Sequence, residues 1–264
     1  MLSFVLNKEN PFMSRTLMTV FATTGLLLGS SGPALAVPLV PVGNKVVFTG
    51  NYDTGNFGQW STCQWRGYNS SCKDWKQGPY MAKIADGGPG HATAARFEVR
   101  DGDVPPFGGG ERSEVSAGGS AGAGVKAGDE RWYEFSLRFD ASFTNPRGGW
   151  FIPMQWHSGS GSPPLALEVD NNGTLHFANN RVNKRTEIGP IQKGRWVDYV
   201  LHVKFSPGSQ ALAESWVNGV KQPGVHRVPN MAGDSNYLKM GIYRDGGNSD
   251  TAILWHDGLR ITAP

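Results

Sequence analysis

Apolar and polar residues alternate one by one along much of the chain, and this alternation restricts the fold more than any other sequence feature. From Tyr133 to Phe139 every second residue is aromatic or aliphatic, and the residues between them are polar. Segments 94–100 and 196–205 largely repeat the pattern. A repeat of two residues is typical of β-strands that bury one face and expose the other.

Turn signals separate these strand segments. Asn172-Gly173 and Asn218-Gly219 are typical of tight hairpins, and no window of a dozen residues has a convincing helical period. We therefore predict an all-β fold, an antiparallel β-sandwich of the jelly-roll type in which one sheet can curve into a groove. Further short strands are predicted at 45–48, 150–157, 165–169, 174–178, 214–217, 237–243 and 253–256.

Residues 1–36 have the pattern of a secretory signal peptide. A basic residue precedes an uncharged apolar stretch over 17–28, and a small-x-small cleavage site ends at Ala36. The apolar stretch is shorter than the roughly 20 residues that a membrane span needs. We expect a secreted chain, extracellular or periplasmic, with a single domain over 37–264. Its translation starts at Met1 or at Met13.

Cysteine content and charge limit the possible partners. The chain has 2 cysteines, Cys63 and Cys72, and an oxidising compartment favours a local disulfide between them. The formal net charge is only +3, and no run of Lys and Arg suggests a nucleic-acid binder. We expect a monomer that binds neither nucleic acid nor, once the signal peptide is removed, membranes.

The strand at 237–243 carries an unusual polar face. Its alternation places Tyr237, Lys239, Gly241 and Tyr243 on one side, while the residues between them face the core. An ammonium group and two phenols thus share a surface, and the glycine among them is expected to leave room for a ligand. An ordinary solvated sheet face is the alternative interpretation.

Two more segments place polar pairs on a shared strand face. Gln155 and His157 form one pair, and Arg112 and Glu114 form the other after a loop rich in glycine and proline over 101–110. A guanidinium is a planar, two-pronged donor for a substrate carboxylate, and Glu114 would hold it in place. A structural ion pair on a sheet is the alternative for Arg112 and Glu114.

Taken in order, Arg-x-Glu, Gln-x-His and Tyr-x-Lys-x-Gly-x-Tyr resemble the jelly-roll polysaccharide lyases, which include the alginate lyases and the glucuronan- and heparin-lyase-like group. Segments 109–114 and 237–244 are more similar to the second group, and the resemblance covers about 48–262. It implies a concanavalin A-like sandwich and β-elimination of a uronic-acid polymer. Many alginate lyases continue as Arg-x-Glu-Leu-Arg, whereas this chain has Ser116, which argues against alginate as the substrate.

The resemblance also implies catalytic roles. His157 would be the general base, and Tyr243 would protonate the leaving oxygen or, for the opposite stereochemistry, serve as both base and acid. Arg112 and Gln155 would neutralise the uronate carboxylate, and Lys239 would lower the tyrosine pKa or bind substrate. Further substrate contacts are predicted for Glu114, Tyr237, Arg96, Arg100 and Arg244, and the last four have a solvated sheet residue as the alternative.

Two other functions remain open. A non-catalytic, lectin-like carbohydrate-binding module would stack sugars on exposed tryptophans, for which Trp60, Trp65, Trp75 and Trp150 are candidates. A retaining β-glucanase would need two carboxylates about 5–5.5 Å apart, and Glu168-Val-Asp170 is the nearest signature, without the second glutamate.

No metal-ligand motif is present in the sequence, and elimination requires no organic cofactor. Related lyases can hold structural calcium, and the resemblance makes Asp53 and Asp257 candidate oxygen donors. A turn or surface role is the alternative for each.

Overall fold

Two antiparallel sheets pack face to face in the computed structural model, which describes residues 40–75, 80–120 and 122–264. The all-β sandwich predicted from the alternation is confirmed. The predicted signal peptide lies outside the described residues. Among those residues, no helix is long and apolar enough to cross a membrane.

The first sheet has eight strands. In spatial order they are β15 (Val220–Lys221), β14 (Leu212–Val217), β13 (Val197–Lys204), β8 (Glu130–Phe139), β17 (Ala252–Ala263), β5 (Ala94–Val99) and β4 (Ala82–Ala85), with β1 (Lys45–Thr49) also paired to β17.

The second sheet has nine strands and carries the predicted polar faces. In spatial order they are β12 (Lys184–Pro190), β11 (Thr174–Asn179), β10 (Leu165–Val169), β9 (Phe151–His157), β16 (Ser235–Arg244), β6 (Glu111–Ser116), β2 (Thr62–Trp65) and β3 (Tyr68–Ser71), with β7 (Gly124–Lys126) also paired to β16.

The core lies between the sheets and is built from the apolar half of each alternating strand. Trp156 of β9 and Tyr133 of β8 meet there, with ring centroids 5.0 Å apart. The indole Nε1 of Trp156 donates a 2.9 Å hydrogen bond to the Tyr133 hydroxyl, so both polar atoms are satisfied inside the core. Because the apolar side chains of β9 point inward, its polar side chains face outward.

The predicted disulfide between Cys63 and Cys72 is confirmed. Cys63 lies in β2, and Cys72 begins a short 3-10 helix, Cys72–Asp74, after β3. The bond therefore closes the β2–β3 hairpin at one edge of the second sheet. Both half-cystines are buried within the core cluster, so the bond is part of the core.

A β-bulge interrupts β16 at Gly241. Met240 pairs with Met154 and Tyr243 with Ile152, so two residues of β16 oppose one residue of β9. Gly241 has a φ of 130°, and an added Cβ would lie 2.3 Å from the Ser113 carbonyl oxygen. The expectation that this glycine makes room for a ligand is therefore wrong, because the close approach of β6 requires it.

Candidate active site

Strands β9, β16 and β6 are neighbours in the second sheet, and their outward faces bring the three predicted polar segments together. Each predicted polar pair shares the outward face of its strand, although the β-bulge shifts the register of β9 and β16 between Met240 and Tyr243. Cross-strand pairing opposes Tyr237 to His157, Lys239 to Gln155 and Tyr243 to Arg112.

Glu114 lies at the centre of this face and accepts bonds from three side chains. Its Oε2 accepts from Lys239 Nζ at 2.6 Å and from Arg112 Nη1 at 3.0 Å, and its Oε1 accepts from Gln155 Nε2 at 2.5 Å. All four residues are buried. One carboxylate thus faces two cations, which leaves a net positive charge under the surface. Glu114 bonds Arg112 as predicted, but it does not line the cleft described below.

Lys239 is a buried partner of Glu114 and does not line the cleft described below. Burial lowers the pKa of Lys239, and the nearby Glu114 carboxylate opposes that shift. The role of Lys239 in binding substrate or in lowering the tyrosine pKa stays a prediction.

Both ring nitrogens of His157 are bonded to the loop over 158–162. The backbone N–H of Gly159 donates to Nδ1 at 2.8 Å, and Nε2 lies 3.1 Å from the Gly161 carbonyl oxygen. Since an N–H only donates and a carbonyl only accepts, Nε2 carries the proton of a neutral ring. Burial, followed by the charge of Lys239, lowers the pKa of His157, so the imidazole is mostly neutral at pH 7.

Arg181, which the sequence did not single out, holds this loop in place. Its guanidinium donates to Ser162 O at 2.7 Å, to Ser158 Oγ at 2.9 Å and to Ser160 O at 2.5 Å. Arg181 follows β11, whose hairpin with β12 brings it beside the loop. The position of His157 therefore depends on a residue outside the three predicted segments.

Tyr243 lies at the other end of this face. Along β16 it is six residues after Tyr237, which pairs with His157. Its ring packs edge-on against Trp150 with centroids 5.1 Å apart. The Arg112 guanidinium lies 4.0 Å from the Tyr243 ring centroid. This contact fixes the ring by stacking and places a positive charge beside the phenol.

An open cleft of about 640 Å³ joins these groups. Four predicted residues line it: Arg112, Gln155, His157 and Tyr243. The sequence did not predict that the cleft continues over β10 and β12, where Glu168, Asn180 and Arg185 line it. Trp150, named in the sequence only as a stacking candidate, lines it beside Tyr243.

Four predicted substrate contacts lie elsewhere. Tyr237 is half-buried beside His157, with ring centroids 5.9 Å apart, and lines a neighbouring depression. Arg96 lies in β5 of the first sheet, and Arg100 directly follows that strand. Each lies 2.7 Å from a Glu98 oxygen. Arg244 points to the interior, since side chains alternate along a strand, and lies 2.7 Å from Glu111. The structure does not bring these four to the cleft.

The residues that the two alternative functions would use are not arranged as those functions require. Trp60 and Trp65 are buried in the core, and the Trp75 ring packs 4.4 Å from that of Trp65. Glu168 bonds Asn180 and Arg185, while Asp170 caps a turn by accepting backbone N–H bonds from Asn172 and Thr174. Of the four tryptophan candidates, Trp150 is the one that lines the cleft.

The two candidate calcium donors make local contacts. Asp53 accepts from Thr93 Oγ1 at 3.2 Å, and Asp257 lies 2.8 Å from His91 Nδ1. Within the described ranges, no group of three or more His, Cys, Asp or Glu side chains is arranged to hold a metal ion. Calcium binding stays a prediction.

Comparison with solved structures identifies similar sandwiches. An endo-β-1,4-glucuronan lyase from the fungus Trichoderma reesei is 16% identical, with a TM-score of 0.58 over 83% of this chain and 96% of that chain. An alginate lyase from Corynebacterium sp. is 16% identical, with a TM-score of 0.57 over 83% of this chain and 100% of that chain. A family 7 alginate lyase in complex with its substrate is 16% identical, with a TM-score of 0.58 over 81% and 97%. These similarities support the fold.

Sequence comparisons give two further results. A search of curated proteins finds no match. A family model described as polysaccharide lyase matches residues 52–260, which include every strand of the cleft. The chain therefore belongs to the polysaccharide lyase family.

Proposed function

We propose that this protein cleaves a 4-linked, uronic-acid-containing polysaccharide by β-elimination. The observation that carries the proposal is one cleft lined by His157 and Tyr243, with Arg112 and Gln155 between them on the Glu114 carboxylate. A base, an acid and a net positive charge are the groups that removal of a proton next to a carboxylate requires.

The reaction assigns one task to each group. Arg112 and Gln155 stabilise the uronate carboxylate as negative charge spreads onto it, which makes the C5 proton more acidic. His157 takes that proton, the electron pair forms the C4–C5 double bond, and the C4–O4 bond breaks. Tyr243 donates its proton to the leaving O4. The lowered pKa of His157 keeps this base unprotonated at neutral pH.

A glucuronan-type or related substrate fits better than alginate. Ser116 stands where many alginate lyases carry a second arginine. Ser116 pairs with Lys239 across the strands, so an arginine there would add a third cation next to Glu114. The absence of that cation implies a different set of contacts around the uronate.

We also propose that the protein is secreted, on the pattern of residues 1–36. The disulfide between Cys63 and Cys72 agrees with an oxidising compartment. Fractionation of the source cells followed by sequencing of the mature N-terminus tests this. A mature chain that begins at Val37 supports secretion, and a chain that retains residues 17–28 in the cytoplasm contradicts it.

The test of function is a substrate panel of glucuronan, alginate, heparin and pectate. A lyase produces unsaturated ends that absorb ultraviolet light, and its products together have the mass of the substrate with no water added. A hydrolase produces reducing ends without that absorbance. A binding module produces neither reducing ends nor absorbance. We expect unsaturated ends from glucuronan at the highest rate. Binding without any cleavage of the four polymers would contradict the proposal.

A further inference from the structure

The half of the cleft over β10–β12 has the same construction as the half over β6. In both halves a buried carboxylate holds one arginine and one side-chain amide. Glu168 accepts from Asn180 Nδ2 at 2.8 Å and from Arg185 Nη2, as Glu114 accepts from Gln155 and Arg112. The Glu168 side chain is only 2% exposed, so a buried charge orients both donors.

Arg185 is the accessible cation of this cleft. Its side chain is 45% exposed, compared with 7% for Arg112. Within the described residues, Arg185 bonds Glu168 through Nη2, and its side chain lines the open cleft. The planar fork of a guanidinium is suited to a carboxylate.

Cross-strand pairing relates Arg185 to the proposed catalytic groups. Arg185 pairs with Ala178, Ala178 with Ala166, and Ala166 with Gln155. Three strand spacings separate the backbones of Arg185 and Gln155, or about 14 Å. Arg185 and Gln155 line the same cleft. A chain bound at Gln155 can therefore extend along the cleft to Arg185.

We propose that Arg185 and Asn180, oriented by Glu168, form a second carboxylate-binding subsite for a uronate that neighbours the cleaved one. The inference rests on the proposed function, since it concerns the same polymer in the same cleft. This second subsite makes the enzyme select a polymer that carries carboxylates on more than one sugar. The guanidinium binds the carboxylate, and the amide of Asn180 donates its second N–H.

Calorimetric binding to the Tyr243→Phe chain tests the subsite without requiring turnover. The probes are a glucuronan oligosaccharide and the same oligosaccharide with its carboxyl groups reduced to alcohols. Adding Arg185→Gln is expected to weaken binding of the charged probe about 10-fold or more, since a hydrogen bond to a charged group is lost. Binding of the reduced probe is expected to change less than about twofold. Arg185→Lys, which keeps the charge without the fork, is expected to give an intermediate loss.

Two controls separate the subsite from general effects. Lys184→Gln removes the adjacent exposed cation, which points to the other face of β12, and is expected to leave binding unchanged. Glu168→Gln combined with Arg185→Gln removes both charges, so no buried carboxylate is left unpaired, and the same loss of binding is expected. This double variant covers the case in which Arg185→Gln alone fails to fold.

The outcomes also separate the two proposals. Unchanged binding in the folded Arg185 variants, or an equal loss for both probes, would overturn the subsite even if the wild-type enzyme cleaves glucuronan. Selective loss for the charged probe would support the subsite even if the wild-type enzyme formed no unsaturated ends, which would contradict the proposed function alone.

Discussion

At the scale of single residues, Glu114 organises the site. It is 1% exposed and bonds Arg112, Gln155 and Lys239. Two cations share this one carboxylate, so removing its charge leaves both of them buried without a counter-ion. A buried charge that loses its partner costs about 3–5 kcal/mol. The residue is therefore structural and electrostatic, and it acts on the substrate only through the donors that it holds.

We predict that Glu114→Gln lowers the free energy of unfolding by about 3 kcal/mol or more and abolishes activity. Urea unfolding measures the first effect. The matched control is Glu134→Gln in the first sheet, where Glu134 lies 2.7 Å from Arg260 in a partly exposed pair. Exposed pairs contribute about 0–1 kcal/mol. Equal losses of stability in the two variants would show that Glu114 has no special role.

Residue alternation explains which site residues the sequence could predict. Arg112, Gln155, His157 and Tyr243 share one cleft because each is in phase with the outward face of its strand. Arg244 was predicted as a substrate contact, although it is out of phase with Tyr243 and faces the interior. Arg185 and Asn180 were missed because they lie in an edge strand and a turn, where polar residues occur on both faces and carry no periodic signal.

At the scale of elements, the loop over 158–162 sets the state of His157. The Gly159 N–H bond to Nδ1 favours the neutral ring, and so do burial and the charge of Lys239. The charged and titratable groups facing the imidazole from the neighbouring strands are Tyr237, Lys239, Glu114 and Arg112. In this conformation Nε2 already carries the proton of the neutral ring, and Nδ1 can accept a proton only by losing its bond from Gly159. His157 must therefore leave the loop to act as a base.

We predict that Arg181→Ala, which removes the three bonds that hold the loop, shifts the acidic limb of the kcat/KM profile to higher pH. Opening the loop reduces the burial that is the main cause of the lowered pKa of His157 and removes the Gly159 donor. These effects outweigh the loss of the Gly161 acceptor, which raises the pKa, so the pKa of His157 rises toward the ordinary value of about 6.5. The pKa of His157 measured by NMR is expected to rise with it. Arg181→Lys is expected to shift the acidic limb less than Arg181→Ala does.

An unchanged acidic limb in a folded Arg181→Ala enzyme would contradict this role of the loop. It would also favour the mechanism in which Tyr243 serves as both base and acid, because the state of His157 would then not limit the rate. The sequence predicted the strand that ends at His157. The sequence could not predict the conformation of the loop, because Arg181, which bonds the loop, lies about two strands further along the chain.

At the scale of the whole molecule, the two sheets differ in what they contribute. The second sheet carries the cleft on its outer face, and the first sheet closes the core behind it. Alternation predicted the sandwich because it is a property of each strand alone. The order of the strands was not predicted, since it depends on pairing between distant segments. Six strands were missed because they are too short or too polar to show a period: β2, β3, β4, β7, β12 and β15.

Two buried histidines make the stability of the molecule sensitive to acid. Burial lowers the pKa of His256 to about 3 and that of His226 to about 4. An unfolded histidine has a pKa near 6.5. As the pH falls below that value, the unfolded chain binds protons that the folded chain does not, so stability is complete above about pH 6.5 and falls toward pH 4.

We predict a loss of about 1.4 kcal/mol per pH unit for each histidine in this window. Urea unfolding at a series of pH values measures the slope. His256→Asn keeps an acceptor for the Tyr52 hydroxyl, which lies 2.9 Å from His256 Nδ1, and is expected to reduce the slope. A wild-type stability that does not change between about pH 6.5 and pH 4 would be inconsistent with neutral buried histidines.

The most direct measurement is the rate at which the Tyr243→Phe enzyme forms unsaturated ends from the best polymer of the panel. This change removes one hydroxyl from the cleft and leaves the contacts of the ring with Trp150 and Arg112. Tyr199→Phe, which removes a buried hydroxyl from the first sheet, is the control and is expected to keep the wild-type rate. For Tyr243→Phe we predict a rate at least about 100-fold lower, with unchanged thermal unfolding. A folded Tyr243→Phe enzyme that works at the wild-type rate would contradict the proposed mechanism.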